Sequence, residues 1–274
     1  MRVWVSVTTT KARLGVFFYS LQSLKAQDYR NYDIVVHLSK EPYLLDEGVT
    51  AIPDWMKGEN VGVRFIKNSG SYRKLIPLIQ SVSSDDIVVT VDDDVLYSRD
   101  WLARMIENAL EHPDSVVCAR ARRIEKNRLD RYQNYANWPL IQERAAGLPL
   151  LPIGCSGVAY RSKLLDLEFA GDGASHVCAP TADDIWFRLS SLLKNTRVYV
   201  DPGMDEGNAY VKHSVGLEYL NLHQHQFDRP LFVRESIRVA TRVKDYFGVP
   251  VSSNDYAWKN SLELLRARGR RIDL

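Results

Sequence analysis

The chain has 274 residues, of which 45% are hydrophobic and 26% are charged, so it has ample apolar content for the core of one large domain or two small ones. These fractions exclude a disordered or a fibrous chain. The 36 basic and 34 acidic residues leave a net charge of +2, which provides no global attraction to nucleic acid.

The first part of the chain alternates between strand and helix patterns. Residues 2–8 and 33–38 are predicted strands, and residues 14–26 between them repeat apolar side chains with the spacing of one helix face. Such a βαβ unit predicts a parallel sheet with a right-handed crossover. A third strand is predicted at residues 61–67, and a helix at residues 72–82. Pro77 fits this helix best if its first regular turn starts near Leu75 or Ile76.

A polar and basic turn, residues 68–74, leads into that predicted helix. A turn of this kind can present backbone N–H groups and positive charge to an anion. Its spacing differs from that of a phosphate-binding P-loop. The start of a helix with surface charges explains the same residues without any function.

The most informative stretch is a run of β-branched residues, 87–91, that ends in Asp92, Asp93 and Asp94. A buried strand would carry these acids to its C-terminal edge, where open α/β sheets bind their ligands. Adjacent carboxylates repel one another unless they are solvated or face a cation, and hard oxygen ligands suit Mg²⁺ or Mn²⁺. A metal site and a solvated acidic turn are both open interpretations of this stretch taken alone.

The alternating pattern continues after the acidic triplet. Ser98 is the predicted N-cap of a helix over residues 101–111, and residues 115–119 are a predicted strand. Many arginines follow at residues 120–131, a run typical of a solvated helix face and less often of a phosphate contact. Three aromatic residues in the same region either stack on sugar rings or, as is more usual, pack in the core; they are Tyr132, Tyr135 and Trp138.

Two short motifs come next. Two glycines around a small polar pair, at residues 154–157, precede a predicted strand at 158–160 and indicate a close approach of backbone to another group. Further along, Thr181 is the predicted N-cap of a helix with Asp183 and Asp184 in its first turn. Acids complement the helix dipole at that position, so a catalytic role is one alternative and a purely structural role the other.

The last part of the chain is predicted to contain a strand at residues 198–200 and helices at residues 230–247 and 256–268. The histidines between the strand and the first helix either provide an imidazole ligand or lie in a solvated loop; they are His213, His223 and His225.

Cysteine usage and the N-terminus bear on the compartment. The three cysteines are widely spaced and form no zinc-ligand pattern, which favours a reducing compartment. The first residues enter a strand-like run with no signal-peptide pattern, and no apolar stretch approaches the roughly 18 residues that cross a bilayer. We therefore expect a cytoplasmic protein, with peripheral contact to the inner face of the membrane left open.

Five of these segments occur in the order found in one enzyme class; they are residues 5–13, 70–78, 92–94, 154–160 and 182–186. On these segments the chain resembles the GT-A glycosyltransferases, in particular family-2-like enzymes that build bacterial surface polysaccharides. The resemblance spans about residues 1–200 in the expected order, and the remaining residues match only loosely.

The resemblance implies an α/β fold of the GT-A type, with a Rossmann-like, mostly parallel sheet flanked by helices and a helical C-terminal extension. In this scheme residues 1–97 form the nucleotide-sugar-binding half and residues 98–200 the acceptor-binding half of the same domain. Residues 201–274 form the extension.

The resemblance also implies a metal-dependent hexosyltransferase that moves a sugar from a nucleotide-diphosphate donor, with a UDP-sugar favoured. The acceptor would be a hydroxyl of a saccharide or lipid-linked saccharide, the reaction would invert the anomeric centre, and nucleic acid is not expected as a partner. The cofactor would be Mn²⁺ or Mg²⁺. Asp94 would bind it directly, and His223 is the candidate second ligand, in competition with the other two C-terminal histidines.

In such enzymes the acidic triplet is the DxD motif, in which Asp92 would contact the nucleoside and Asp93 would belong to the same donor site. Other residues fall where the nucleotide and its phosphates are held; they are Thr8, Thr9, Arg13 and Lys74. Asp184 would be the general base toward the acceptor hydroxyl, with Asp183 as the second candidate. This agrees with chemistry, because cations stabilise a diphosphate leaving group and a carboxylate can deprotonate a hydroxyl.

Two other classes remain open from the sequence. A HAD-like phosphatase would use Asp92 as a nucleophile and Asp183 with Asp184 to bind Mg²⁺, but in that fold the nucleophile lies on the first core strand. Here a βαβ unit and a further strand precede it. A non-catalytic nucleotide-sugar-binding domain would keep Asp94 and lack a working base.

Overall fold

The computed structural model describes residues 1–211 and 248–274. Its strands are β1 (Val3–Thr8), β2 (Asp33–Leu38), β3 (Val61–Phe65), β4 (Ile87–Val91), β5 (Val95–Leu96), β6 (Ser115–Cys118), β7 (Ala121–Arg123), β8 (Ala145–Gly147), β9 (Leu150–Pro152), β10 (Val158–Tyr160), β11 (Arg197–Val200) and β12 (Ala209–Tyr210). Its α-helices are α1 (Leu14–Lys25), α2 (Ile76–Ile79), α3 (Trp101–Glu111), α4 (Leu167–Ala170), α5 (Ser175–Cys178), α6 (Asp183–Leu192) and α7 (Ser253–Ala267). Short 3-10 helices lie at Lys11–Arg13, Asp54–Met56, Gly70–Lys74, Tyr135–Asn137, Gly154–Ser156, Ser162–Leu164 and Pro202–Asp205.

An eight-stranded sheet organises the molecule, in the order β3-β2-β1-β4-β10-β6-β11-β8. The first four strands are mutually parallel, and β6 is parallel to β11. Strand β10 is inserted antiparallel between β4 and β6, and β8 is antiparallel to β11 at the edge. Six of the eight strands therefore point the same way, and the predicted α/β fold with a mostly parallel sheet flanked by helices is confirmed.

The central strand β4 is buried along its whole length, as expected for a strand covered on both faces. Its alternate side chains enter two different cores. Val89 packs in a cluster with residues of α1 and α3, among them Leu21 and Trp101, whereas Val88 packs on the opposite face in a cluster with residues of α6, among them Trp186. The sheet is therefore the middle of three layers, and its C-terminal edge lies between them.

Several predicted boundaries need correction. The helix at 101–111 is α3, but its N-cap is Asp100, because the hydroxyl of Ser98 donates to the Asp100 carboxylate at 2.9 Å instead of capping the helix. Helix α6 starts at Asp183 and its N-cap is Ala182, so the prediction of Thr181 as the cap was also wrong.

The predicted helix at residues 72–82 is much shorter than expected. The chain forms the 3-10 helix Gly70–Lys74 and then the single turn α2, separated by Leu75 at φ −117°. Pro77 has no N–H and is tolerated best in the first turn of a helix, and the expected start of the regular turn near Leu75 or Ile76 is confirmed by α2, which begins at Ile76. The segment consequently buries Tyr72, Arg73 and Lys74 and has no helix long enough to present a dipole to an anion.

The predicted helix at 230–247 and the three histidines at positions 213, 223 and 225 lie outside the described residues. The final helix is present as α7 and begins with a capping box between Ser252 and Asp255. Among residues 1–211 and 248–274, no helix has the length and apolar character needed to cross a membrane.

Candidate active site

A cavity of about 810 Å³ opens at the C-terminal edge of the sheet, where β1, β4 and β6 end and α6 begins. Parallel strands bring the residues that follow them to one edge, which explains why segments far apart in sequence meet here. All of the predicted site residues that the structure describes line this cavity; they are Thr8, Thr9, Arg13, Lys74, Asp92, Asp93, Asp94, Asp183 and Asp184. His223 lies outside the described residues.

The three acids of the triplet differ in their surroundings. The side chain of Asp93 is 6% exposed and that of Asp94 26% exposed, and both carboxylates contact the Arg13 guanidinium, at 2.5 and 2.7 Å. The Asp93 carboxylate also accepts a hydrogen bond of 2.5 Å from the Thr9 hydroxyl. Burial raises the pKa of Asp93 to about 6, against the opposing effect of Arg13 and Thr9. Asp93 thus ties the end of β4 to the β1 loop, whereas Asp92 and Asp94 reach the open cavity.

Lys74 connects the two acidic groups of the cavity. Its Nζ lies 3.0 Å from Asp92 Oδ1 and 3.1 Å from Asp183 Oδ2, although the side chain is only 7% exposed. Burial by itself lowers the pKa of Lys74, but the neighbouring carboxylates, chiefly Asp183 and Asp92, together raise it by more. The pKa of Lys74 therefore lies well above its ordinary value, and the lysine stays charged. The lysine thereby neutralises one acid on each side of the cavity.

Asp184 occupies a different environment from Asp183. Its Oδ2 accepts a hydrogen bond of 3.0 Å from the backbone N–H of Gly154, and among the described residues no basic side chain lies within ion-pair distance of it. Burial, followed by the neighbouring Asp183 carboxylate, raises the pKa of Asp184 to about 7. A carboxylate with a pKa near neutrality is well suited to accept a proton and release it again.

The glycine motif explains how Asp184 is positioned. A Cβ atom at Gly154 would lie 2.9 Å from Asp184 Oδ1 and 3.0 Å from Lys74 Nζ, so a larger residue there would push the ends of these two side chains away from their present positions. Gly157 adopts φ +94°, and a Cβ there would lie 2.4 Å from the Trp101 ring. The predicted close approach of backbone to another group is confirmed at both positions.

Sequence reasoning missed a buried ion pair at the cavity wall. Asp46, in the loop after β2, lies 3.0 Å from the Arg73 guanidinium and accepts a hydrogen bond of 3.1 Å from Asn68. Both charged side chains are at most 3% exposed, and both residues line the cavity. The two residues are far apart in the chain and share no local pattern, so no sequence signal connects them.

The arginine run at residues 120–131 left a solvated helix face and a phosphate contact open, and the more usual of the two, the helix face, was wrong. Residues 121–123 form β7, and Arg120 and Arg122 line the cavity. The signal was available, because alternate residues of a strand share one face and this run follows directly after β6. Of the aromatic residues, Trp138 is buried and packs on Trp258, while Tyr135 also lines the cavity.

The donor atoms at the end of β4 fit a divalent cation that is shared with a substrate. Asp92 and Asp94 offer carboxylate oxygens on side chains that are 31% and 26% exposed. Mg²⁺ and related ions are commonly bound by one or two carboxylates together with substrate phosphates. No group of three or more His, Cys, Asp or Glu side chains suited to a metal occurs in the part of the chain that the structure describes. The carboxylates of Asp92 and Asp94 therefore fit a divalent cation that substrate phosphates would help to hold.

Residues 13–167, more than half of the chain, match the family described as glycosyl transferase family 2. The chain belongs to this family. It is a glycosyltransferase, and the resemblance inferred from its motifs is confirmed. A search among curated protein sequences finds no match.

Solved glycosyltransferase structures resemble this one. The mannosyltransferase PcManGT from Pyrobaculum calidifontis, in complex with GDP-Man and Mn²⁺, has 17% identity over 100% of this chain and 76% of its own, with a TM-score of 0.51. S. aureus TarS has 17% identity over 78% of this chain and 37% of its own, with a TM-score of 0.47. The TarS 1-349 structure has 14% identity over 100% of this chain and 94% of its own, with a TM-score of 0.48. At such identities the PcManGT similarity supports the GT-A fold of this glycosyltransferase and nothing finer.

Proposed function

We propose that this glycosyltransferase is metal-dependent and inverting, and that it transfers a hexose from a nucleotide-diphosphate donor to a hydroxyl of a saccharide or lipid-linked saccharide. The observation that carries the proposal is the placement of two kinds of acid in one cavity. Asp92 and Asp94 present partly exposed carboxylates at the end of β4, and Asp184 presents a carboxylate of raised pKa beyond Lys74. The carboxylates of Asp92 and Asp94 suit a cation, and the carboxylate of Asp184 suits proton transfer.

At the donor end, Thr8, Thr9, Arg13 and Lys74 would hold the nucleotide and its phosphates. Asp94 and Asp92 would hold Mn²⁺ or Mg²⁺, with Asp92 also toward the nucleoside. When bound, the cation would draw negative charge from the diphosphate leaving group. Arg13 and Lys74 remain charged beside it and add to the same stabilisation, since fixed cations favour the state in which negative charge develops.

At the other end, Asp184 would act as the general base. Its carboxylate removes the proton of the acceptor hydroxyl while that oxygen attacks the anomeric carbon from the face opposite the leaving group. The bond between the anomeric carbon and the diphosphate oxygen breaks, and its electron pair leaves with the nucleoside diphosphate. Asp183 is less suited to this role, because its carboxylate is paired with Lys74.

The family match removes the HAD-like phosphatase, for which Asp92 would have been the nucleophile. In the structure that carboxylate lies 3.0 Å from a buried lysine, and its strand, β4, follows three others in the chain. The non-catalytic alternative differs from the proposal only in lacking a working base.

A thermal-shift screen tests the proposal directly. UDP, GDP, CDP, ADP and dTDP are added with and without Mn²⁺, because a ligand that binds only the folded state raises its apparent stability. We expect one nucleotide, UDP being favoured, to raise the melting temperature only when Mn²⁺ is present, and the matching nucleotide-sugar to be turned over. If no nucleotide shows Mn²⁺-dependent stabilisation, the proposed metal-dependent donor site is wrong.

A further inference from the structure

The basic side chains that line the cavity fall into two groups. In the described part of the chain they are Arg13, Arg73, Lys74, Arg120 and Arg122. The first three each form an ion pair, with carboxylates of the acidic triplet, with Asp46 or with Asp183. Neither Arg120 nor Arg122 has a carboxylate of the described residues within 4.0 Å. Two guanidinium charges therefore face the cavity without a described counter-ion.

Neutral groups hold both arginines in place. Arg122 donates a hydrogen bond of 2.6 Å to the backbone oxygen of Trp138, its guanidinium carbon lies 5.0 Å from the centre of the Tyr135 ring, and its Nε is buried without a hydrogen-bond partner. Arg120 lies 5.8 Å from the Tyr210 ring centre and 3.5 Å from its hydroxyl. These contacts orient the guanidinium groups without an ion pair to the described residues, and the nearby Asp205 carboxylate, which accepts a hydrogen bond of 2.6 Å from the Tyr210 hydroxyl, acts on Arg120 from beyond ion-pair distance.

The backbone of both arginines is bonded to the segment that positions the proposed base. The backbone oxygen of Arg120 accepts a hydrogen bond of 2.9 Å from Ile153, the residue before the glycine whose N–H binds Asp184. Arg122 is paired in register with Leu151 on β9, the strand that leads into the same glycine turn. The segment that fixes Asp184 therefore also fixes the two arginines.

We propose that Arg120 and Arg122 form an anion subsite for the acceptor, and that the acceptor carries a carboxylate or phosphate close to the hydroxyl that is glycosylated. This inference rests on the proposed function, because it takes the Asp184 side as the place where the acceptor binds. The planar guanidinium group matches the oxygens of carboxylates and phosphates and binds them through paired hydrogen bonds. The cations that suit the donor diphosphate are already present at the other end.

The test compares matched neutral and anionic probes. Methyl β-D-glucuronide is titrated against methyl β-D-glucoside, and glycerol 3-phosphate against glycerol, by ligand-observed NMR with and without Mn²⁺ and the nucleotide selected by thermal shift. We expect the wild-type chain to bind at least one anionic probe about tenfold more tightly than its neutral match, as charge-assisted hydrogen bonds do. Which pair shows the preference distinguishes a carboxylate from a phosphate.

Arg122→Gln and Arg120→Gln should each reduce that preference to about threefold or less and leave the Mn²⁺-dependent nucleotide shift intact. Arg123→Gln is the matched control, because Arg123 is the next residue of β7, is exposed and does not line the cavity; it should keep the full preference. The wild-type comparison needs no variant, so it stands even where a substitution impairs folding.

Two results would overturn the inference. The wild-type chain could bind the anionic and neutral probes of both pairs equally, in which case the arginines only balance the acids of the cavity. Alternatively, the Arg120 and Arg122 substitutions could weaken the nucleoside diphosphate as strongly as the probes, which would assign the subsite to the donor. In both cases the wild-type chain still binds the nucleotide in a Mn²⁺-dependent way. If the proposed function itself is wrong, the wild-type chain shows no such binding.

Discussion

The two ends of the cavity are built differently. At the end formed by β1 and β4, the basic side chains Arg13 and Lys74 are both paired with carboxylates, and the buried Asp93 binds both Arg13 and Thr9. At the end formed by β6, β7 and the start of α6, the only hydrogen bond that the described residues give to Asp184 comes from a backbone N–H, and two arginines have no described carboxylate partner. At the first end both basic side chains are committed to ion pairs, whereas at the second the two arginines form none with the described residues.

This difference matches the chemistry proposed for each end. A divalent cation brings positive charge and a diphosphate brings negative charge, so the paired carboxylates and basic side chains of the first end can exchange partners with them. A proton acceptor and an anion receptor act through charge that is not already committed. We therefore attribute donor binding to the first end, whose residues all lie within 1–97 except Asp183. We attribute base catalysis and acceptor binding to the second end, whose residues lie within 98–200.

The largest expected effect is on the rate of transfer when the proposed base, Asp184, is replaced. Asp184→Asn keeps the size of the side chain and removes its basicity, so transfer should fall about 10³-fold while nucleotide binding stays unchanged. Steady-state kinetics with the donor found by screening measure this. Asp114→Asn, an exposed site outside the cavity, should leave turnover unchanged. Turnover of Asp184→Asn within tenfold of wild type would rule out this residue as the base.

The next effect is on the stability of the protein when Lys74, which pairs with acids at both ends of the cavity, is replaced. Lys74→Met leaves the carboxylates of Asp92 and Asp183 without their partner, and removing one member of a buried ion pair should lower the free energy of unfolding by about 3 kcal/mol. Urea denaturation at pH 7 measures it. The exposed pair of Lys57 with Asp54 supplies the control, since Lys57→Met breaks a solvent-screened pair and should leave the free energy of unfolding nearly unchanged. Equal effects of the two substitutions would show that Lys74 does not bridge the acids.

The pH profile should report the base at the second end. The pKa of Asp184 is raised to about 7, and a general base works only when deprotonated, so kcat should fall about tenfold per pH unit below pH 7 and level off above it. Measurements between pH 5.5 and 8.5 at saturating donor and metal separate this from changes in binding. A flat profile down to pH 5.5 would contradict a base with a raised pKa.

The smallest effect sharpens the boundary between the ends. Gly154→Ala places a methyl group 2.9 Å from Asp184 and 3.0 Å from Lys74, which displaces the base and should reduce kcat about tenfold with the fold retained. Gly173→Ala is the matched control, because nothing lies within 4 Å of a Cβ at that position. If both substitutions were neutral, the glycine turn would have no part in positioning Asp184.

Much of the fold and of the donor end could be predicted from the sequence. The strands β1, β2 and β4 are signalled by continuous β-branched runs, and the acids after β4 follow from the direction of a parallel strand. The predicted helix at residues 72–82 was too long, because the apolar pattern continues past the break at Leu75. Periodicity records which faces are buried, and it is insensitive to a local change of backbone conformation.

The contacts across the cavity could not be predicted in the same way. The Lys74–Asp183 and Arg73–Asp46 pairs join residues distant in sequence, and no local spacing encodes them. The arginines after β6 were visible, but their run was interpreted as a helix face although strand alternation places Arg122 and Arg123 on opposite sides. Tertiary pairing, rather than local pattern, decides which charges are compensated.

The most direct test of the division into two ends compares Asp94→Ala with Asp184→Asn by calorimetric titration of the nucleoside diphosphate in the presence of Mn²⁺. We expect Asp94→Ala to lose the Mn²⁺-dependent part of the affinity and Asp184→Asn to bind the nucleotide as the wild-type chain does. Equal loss of nucleotide affinity in both variants, or loss in Asp184→Asn alone, would contradict the account.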